Sequence, residues 1–125
     1  MFAVFSEDAG LDLKTALKIG CGFGAGMGRL GKTCGAATGA FMVIGLRYGK
    51  STSDEEAARQ KTYDLVNMFV RKFEEINGTI VCRELIGYDL TSEEGLNVAR
   101  ASGVFQTSCL KYVRDAVNIL EGMGF

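Results

Sequence analysis

The chain has 125 residues, 47% hydrophobic and 23% charged, with 14 basic against 15 acidic side chains. That is the length of one domain with enough apolar surface for a single core. Its net charge of −1 argues against the basic footprint of a nucleic-acid or anionic-membrane binder. There is no histidine and no proline, but there are 17 glycines and four cysteines, Cys21, Cys34, Cys82 and Cys109. Without imidazole the usual general base and the commonest nitrogen ligand are missing, so redox or metal chemistry falls mostly to thiolates.

The start, Met1-Phe2-Ala3-Val4-Phe5, lacks a basic region and meets Glu7 and Asp8 at once. No secretory signal is read there, and reduced thiols in the cytoplasm are expected. Residues 1–9 read as a short apolar helix. Asp12 is placed to cap the next one, with Leu13, Ala16, Leu17 and Gly20 on one face. Ten of the 17 glycines then fall between Gly20 and Gly49. Each costs a helix interior roughly 1 kcal/mol relative to alanine. The run Gly20 to Gly28 is therefore a loop, or a segment whose backbone must approach something closely.

Thr33 to Tyr48 reads as a central helix, with Gly35, Gly39 and Ala40 spaced for close packing and Gly49 as its stop. Its apolar stretch, Ala36 to Leu46, falls short of the ~20 residues that span a bilayer. Ser53-Asp54-Glu55-Glu56 resembles a capping box opening the clearest helix, in which Thr62, Leu65, Val66, Phe69, Val70, Phe73 and Ile76 recur at helical spacing up to Gly78. Thr79-Ile80-Val81-Cys82 is a β-prone run that we read as a turn leading into a short helix. Thr91-Ser92-Glu93-Glu94 is a second capping box, and Gln106 to Glu121 a last helix with Cys109, Tyr112, Val113, Ala116, Val117 and Leu120 on one stripe. The expected fold is all-α, a compact bundle of about five to six helices with a glycine-rich helix–helix connection, and the whole chain 1–125 is one domain.

Gly26-Met27-Gly28-Arg29-Leu30-Gly31-Lys32-Thr33 matches the phosphate-binding loop pattern. In such a loop Lys32 would meet the β/γ oxygens and Thr33 would hold Mg²⁺. That chemistry demands a preceding buried strand, and a helical pattern precedes the loop here. Three readings of the segment stand side by side. One is a flexible helix–helix connection with Thr33 as a helix cap, one is a nucleotide loop, and one is an anion held by free amides at the helix start. The backbone of Gly28, Gly31, Thr33 and Gly35 is the candidate cofactor-binding surface in the last two.

The cysteine separations of 13, 48 and 27 residues, taken along the chain, match no paired zinc or C-x-x-C spacing. Singly, each cysteine reads first as a small buried hydrophobe. Cys34 differs, because it stands at the expected N-terminus of a helix with Arg29 and Lys32 near in sequence. That setting predicts a lowered thiol pKa.

Taken together, Gly22-Phe23-Gly24-Ala25-Gly26-Met27-Gly28-Arg29, Cys34-Gly35-Ala36-Ala37-Thr38-Gly39, Cys82-Arg83-Glu84-Leu85-Ile86-Gly87 and Cys109 resemble the redox-active protein family named for its C_GCAxxG_C_C cysteine pattern. The resemblance covers nearly the whole chain. It implies a small helical prokaryotic protein, found mostly in anaerobes, whose cysteines serve redox chemistry or bind an iron–sulfur cluster. Cys34, Cys82 and Cys109 match the family's cysteines one by one, as redox-active thiols or as cluster ligands. The box here reads Cys-Gly-Ala-x-x-Gly, out of order with the family label. The family's first cysteine is missing, so either the first helix begins before Met1 or that ligand is absent. Cys21 is then a substitute fourth ligand on a different element.

The resemblance therefore points to thiol-based redox or electron transfer with an unidentified partner protein. The alternative is a non-catalytic helical module, dimeric through its glycine-rich face, with structural cysteines. Nucleotide binding at Gly26 to Thr33 is ranked below both.

Overall fold

The computed structural model describes residues 1–125. It has seven right-handed helices, five of at least seven residues, and no strand. They are α1 Phe2–Ser6, α2 Leu13–Cys21, α3 Gly35–Tyr48, α4 Glu56–Asn77, α5 Cys82–Ile86, α6 Glu93–Ser102 and α7 Ser108–Gly122. The all-α expectation holds, and no helix is long and apolar enough to cross a membrane.

α3 is the central element, packed against α1, α4 and α7. Its residues Ala36 to Ala40 are all buried in succession, as befits a helix surrounded on every side. Small side chains permit this. A Cβ at Gly39 would stand 3.0 Å from the Phe2 nitrogen, so the bare glycine lets α1 lie directly on α3. From α4, Phe69 and Phe73 enter the same core. Phe69 meets Phe41 edge to face at 6.0 Å between centroids, a favoured aromatic geometry. Ala116, Ile119 and Leu120 of α7 close it. A second, smaller cluster contains Cys82, Ile86, Leu90, Ala99 and Val104.

The helix ends follow local chemistry, with two departures. Asp12 accepts a hydrogen bond from the Thr15 amide at 3.0 Å, and Ser92 one from the Gly95 amide at 3.0 Å, both as expected of N-caps. The Ser53 box does not form. α4 starts only at Glu56, and the Glu55 carboxylate instead accepts from the Ser51 amide at 3.1 Å, folding the preceding loop on itself. On α2 the expected apolar face buries only Ala16, while Leu13 and Leu17 remain 44% and 57% exposed. α2 leans mainly on the one-turn α1, which is too short to cover it.

The glycine-rich connection has an unusual conformation. Ala25, Gly26, Met27, Gly28 and Arg29 all have positive φ, between 54° and 69°. Five successive residues thus trace a left-handed turn, three of them with a Cβ. Each such residue costs about 1–2 kcal/mol. Backbone bonds hold the turn closed, notably from the Lys32 amide to the Gly26 carbonyl at 2.9 Å and from the Gly31 amide to the Ala25 carbonyl at 3.4 Å. Strain of this kind persists only where the surroundings over-determine it.

Candidate cysteine site

The turn delivers the chain to an antiparallel clasp. Thr33 pairs with Val81 in an isolated bridge. The Cys34 amide donates to the Ile80 carbonyl at 2.7 Å, the Cys82 amide to the Lys32 carbonyl at 2.6 Å, and the Arg83 amide to the Gly31 carbonyl at 3.1 Å. Side chains alternate across such a ladder. Residues 33 and 81 share one face, so Cys34 and Cys82 share the other. The β-prone run Thr79–Cys82 is thus half of a two-segment clasp that sets two cysteines, 48 residues apart in sequence, diagonally across the Thr33–Val81 bridge on one face.

Cys34 occupies the cap position of α3, one residue beyond the expected Thr33. Cys82 opens α5 and is 6% exposed, and Cys109 lies in the first turn of α7, half-buried. The charge on Cys34 acts on both Cys82 and Cys109, and that on Cys109 acts on Cys82. Three segments distant in sequence therefore bring three sulfurs into one electrostatic neighbourhood, where the two hydrophobic clusters meet.

The thiols are not activated as expected. Burial pushes all three upward. Cys82 rises to about 11, first through desolvation, then through the charges of Cys34 and Cys109. Cys34 is also raised, which corrects the reading of it as a low-pKa thiol. Its desolvation outweighs the amides of Ala36 and Ala37, and neither Arg29 nor Lys32 contributes. The resting site is a cluster of protonated thiols.

Cys21 is exposed at the end of α2, and its charge is not among those acting on the other three. It lines an open groove of about 390 Å³ between α1, α2 and α3 that includes none of them. Three thiols converge and the fourth stands apart. No group of three or more cysteines or carboxylates has the geometry to hold a metal ion. The donor set therefore does not match the four thiolates of the common iron–sulfur clusters.

The glycines of the phosphate-loop pattern serve this clasp. The amides of Gly31, Lys32 and Cys34 are spent on backbone carbonyls, and the Arg83 side chain lies over Gly31, 3.3 Å from where a Cβ would stand. α2, rather than a strand, precedes the loop. Gly28 is exposed on the turn, Thr33 sits in the bridge, and Gly35 begins α3 with Phe23 carbonyl oxygen 3.3 Å from its Cβ position.

The segment after Cys82 has a task at each position. Arg83 pairs with Asp89 at 2.9 Å, Glu84 accepts from the Thr79 hydroxyl at 2.6 Å, and the Leu85 carbonyl accepts from the Tyr112 hydroxyl at 2.9 Å. Gly87, at φ 75°, ends the helix. The family described as "Putative redox-active protein (C_GCAxxG_C_C)" matches residues 1–123. The chain belongs to that C_GCAxxG_C_C family. No curated protein and no solved structure matches it.

Two residues of this family member's site were not singled out as site residues from sequence. Gly26 is one glycine among many, and only the fold shows that Cys82 packs on it. Tyr112 sits on an ordinary apolar stripe, although its position one turn after Cys109 was a readable signal.

The raised thiols carry a stability consequence. Cys82 is protonated in both states below about pH 9, where its contribution is complete. Between pH 9 and 11 the unfolded chain loses the proton first, so stability falls as pH rises through the folded value. Reduced protein unfolded in urea at pH 8 and pH 11 is expected to lose about 2 kcal/mol more than Cys82→Ala over that interval. An equal loss in both proteins would contradict the assignment.

Proposed function

We propose that this chain carries out thiol–disulfide exchange, with two of the three converging cysteines as its electron pair. The supporting observation is that Cys34 and Cys82 lie on one face of the Thr33–Val81 clasp while Cys109, from a third segment, packs against the hydrophobic cluster that contains Cys82. In the reaction two thiols of the site meet an incoming disulfide. One sulfur–sulfur bond breaks in the incoming molecule and one forms in the protein, and both thiol protons leave on the two reduced products. The protein is oxidised and its partner reduced. Because the resting thiols are protonated, exchange is slow until a partner accepts a proton from one of them or brings positive charge beside it.

A cluster held by Cys34, Cys82 and Cys109 is the second reading, favoured by the family's cysteine pattern and not by the geometry of the three thiols. No step is drawn through it, since the fourth thiol lies elsewhere. Both readings meet in one experiment. Protein purified anaerobically is assayed for iron and sulfide, then equilibrated in glutathione buffers, quenched with acid and alkylated. Exchange predicts iron-free protein with one internal disulfide that is lost in Cys82→Ser. Stoichiometric iron and sulfide would favour the cluster instead. Iron-free protein with every thiol free at all potentials would leave only a helical module, the partner-binding alternative.

A further inference from the structure

Of the three converging cysteines only Cys82 is buried, so a partner reaches its sulfur only when something covering it moves. Most of the cover is fixed. Ile86, Leu90, Ala99 and Val104, which share its cluster, are themselves buried, and displacing them costs core packing. The left-handed turn is the exception. Gly26 lies so close to Cys82 that a Cβ there would stand 2.6 Å from the Cys82 Cβ, and Ala25 packs on the same cluster. Yet the turn is bonded to itself. The amides of Met27, Gly28, Arg29 and Leu30 all donate to carbonyls of residues 23–27. The first hydrogen bonds to α5 are those accepted by the Gly31 and Lys32 carbonyls. Two open hollows flank the turn, one of about 450 Å³ beside Cys21 and one of about 470 Å³ toward Ser92 and Glu93 at the start of α6. Gly28, Arg29 and Leu30 are exposed. The turn therefore has room on both sides and a conformation that Ala25, Met27 and Arg29 resist. Each of those three shifts the balance toward an opened turn by roughly tenfold.

We propose that residues 24–30 form a strained strap over Cys82, whose opening controls when that thiol meets a partner. The proposal rests on the exchange reading above for what the strap admits. With oxidised glutathione as the partner, the Cys82 sulfur attacks one glutathione sulfur and the glutathione disulfide breaks. A disulfide forms between Cys82 and that glutathione, and the second glutathione leaves carrying the thiol proton. Gly28→Ala adds one more strained residue, so it opens the strap roughly tenfold more often and still leaves Cys82 covered most of the time.

The test follows alkylation of Cys82 by iodoacetamide in the reduced protein at pH 8, at urea concentrations below the unfolding transition, with exposed Cys21 as the reagent standard. Arg29→Gly and Arg29→Ala remove the same exposed side chain and the same charge, but only glycine relieves the positive φ of 68°. Cys82 is expected to label roughly fivefold slower in Arg29→Gly than in Arg29→Ala. Opening a short strap exposes little surface, so the rate is expected to be nearly flat in urea. Ile44 is fully buried on α3. Ile44→Val weakens the whole fold by roughly fivefold in the folded-to-unfolded ratio and is expected to leave the Cys82 rate unchanged. Equal rates in the two Arg29 variants overturn the proposal. So does a rate that climbs with urea as steeply as global unfolding and rises in Ile44→Val. A separate arm mixes the same proteins with oxidised glutathione. A Cys82 disulfide that forms in the same fivefold ratio supports strap and exchange together. If the alkylation ratio is found and no disulfide forms at Cys82, the exchange reading fails and the strap stands.

Discussion

Gly26→Ala is expected to lower the stability of the reduced protein by about 3 kcal/mol and to expose Cys82 to alkylating reagents. A Cβ at Gly26 would stand 2.6 Å from the Cys82 Cβ and 2.7 Å from the Lys32 amide nitrogen. Neither neighbour can retreat cheaply. Cys82 is tied at its own amide to the Lys32 carbonyl, and the Lys32 amide is tied to the Gly26 carbonyl. The added methyl therefore opens the clasp that holds Cys34 beside Cys82. Gly28→Ala is the control. Gly28 has a similar φ of 60°, but the nearest atom to its Cβ position is the Gly22 carbonyl oxygen at 4.0 Å. That variant carries only the left-handed penalty, about 1–2 kcal/mol, and leaves Cys82 protected. Urea unfolding of the three proteins, with peptide mapping of alkylated cysteines, separates the two effects. Equal losses for Gly26→Ala and Gly28→Ala would show that backbone conformation alone, and not contact with the cysteine site, makes Gly26 a glycine.

The second large effect is kinetic. An ordinary exposed thiol titrates near ~8.5 and is a few per cent thiolate at pH 7. With its pKa at about 11, Cys82 has roughly 300-fold less thiolate at that pH. Its greater intrinsic nucleophilicity recovers only about a factor of ten. Alkylation of Cys82 by iodoacetamide at pH 7 is therefore expected to run at least about 30-fold slower than an ordinary thiol, and burial lowers it further. The rate should climb about tenfold per pH unit and level off only near pH 11. Exposed Cys21 serves as the internal standard for reagent. In Cys34→Ser one of the two neighbouring charges is gone, so the plateau moves to lower pH. Labelling of Cys82 as fast as Cys21 at pH 7, or a plateau below pH 9, would refute the picture of a desolvated, mutually repelling thiol cluster.

These expectations show where the sequence was legible. The helices could be read because their signals are local. Asp12 and Ser92 cap the turns that follow them, Gly78 and Gly87 end helices at positive φ, and Phe69 and Phe73 repeat at helical spacing. The failures come from competition between neighbours. Ser53 lost its capping role because Glu55 found Ser51 first. The Cys34 thiol was raised rather than lowered because the neighbours that bury it come from other segments and outweigh two nearby amides. In the phosphate-loop pattern the Gly31 and Lys32 amides are bonded to the Ala25 and Gly26 carbonyls, a local closure that the letters do not announce.

What the sequence by itself determined is the helical class, the absence of histidine and the membership of the C_GCAxxG_C_C family, which rest on composition, on local spacing and on a match over residues 1–123. What only the tertiary structure decided is which sulfurs meet and in what state. Cys34 reaches Cys82 through a clasp closed across 48 residues, Cys109 joins them from α7, and Cys21 stays outside. Proximity across such distances, and the loss of water that comes with it, are properties of packing and have no local signature in the chain.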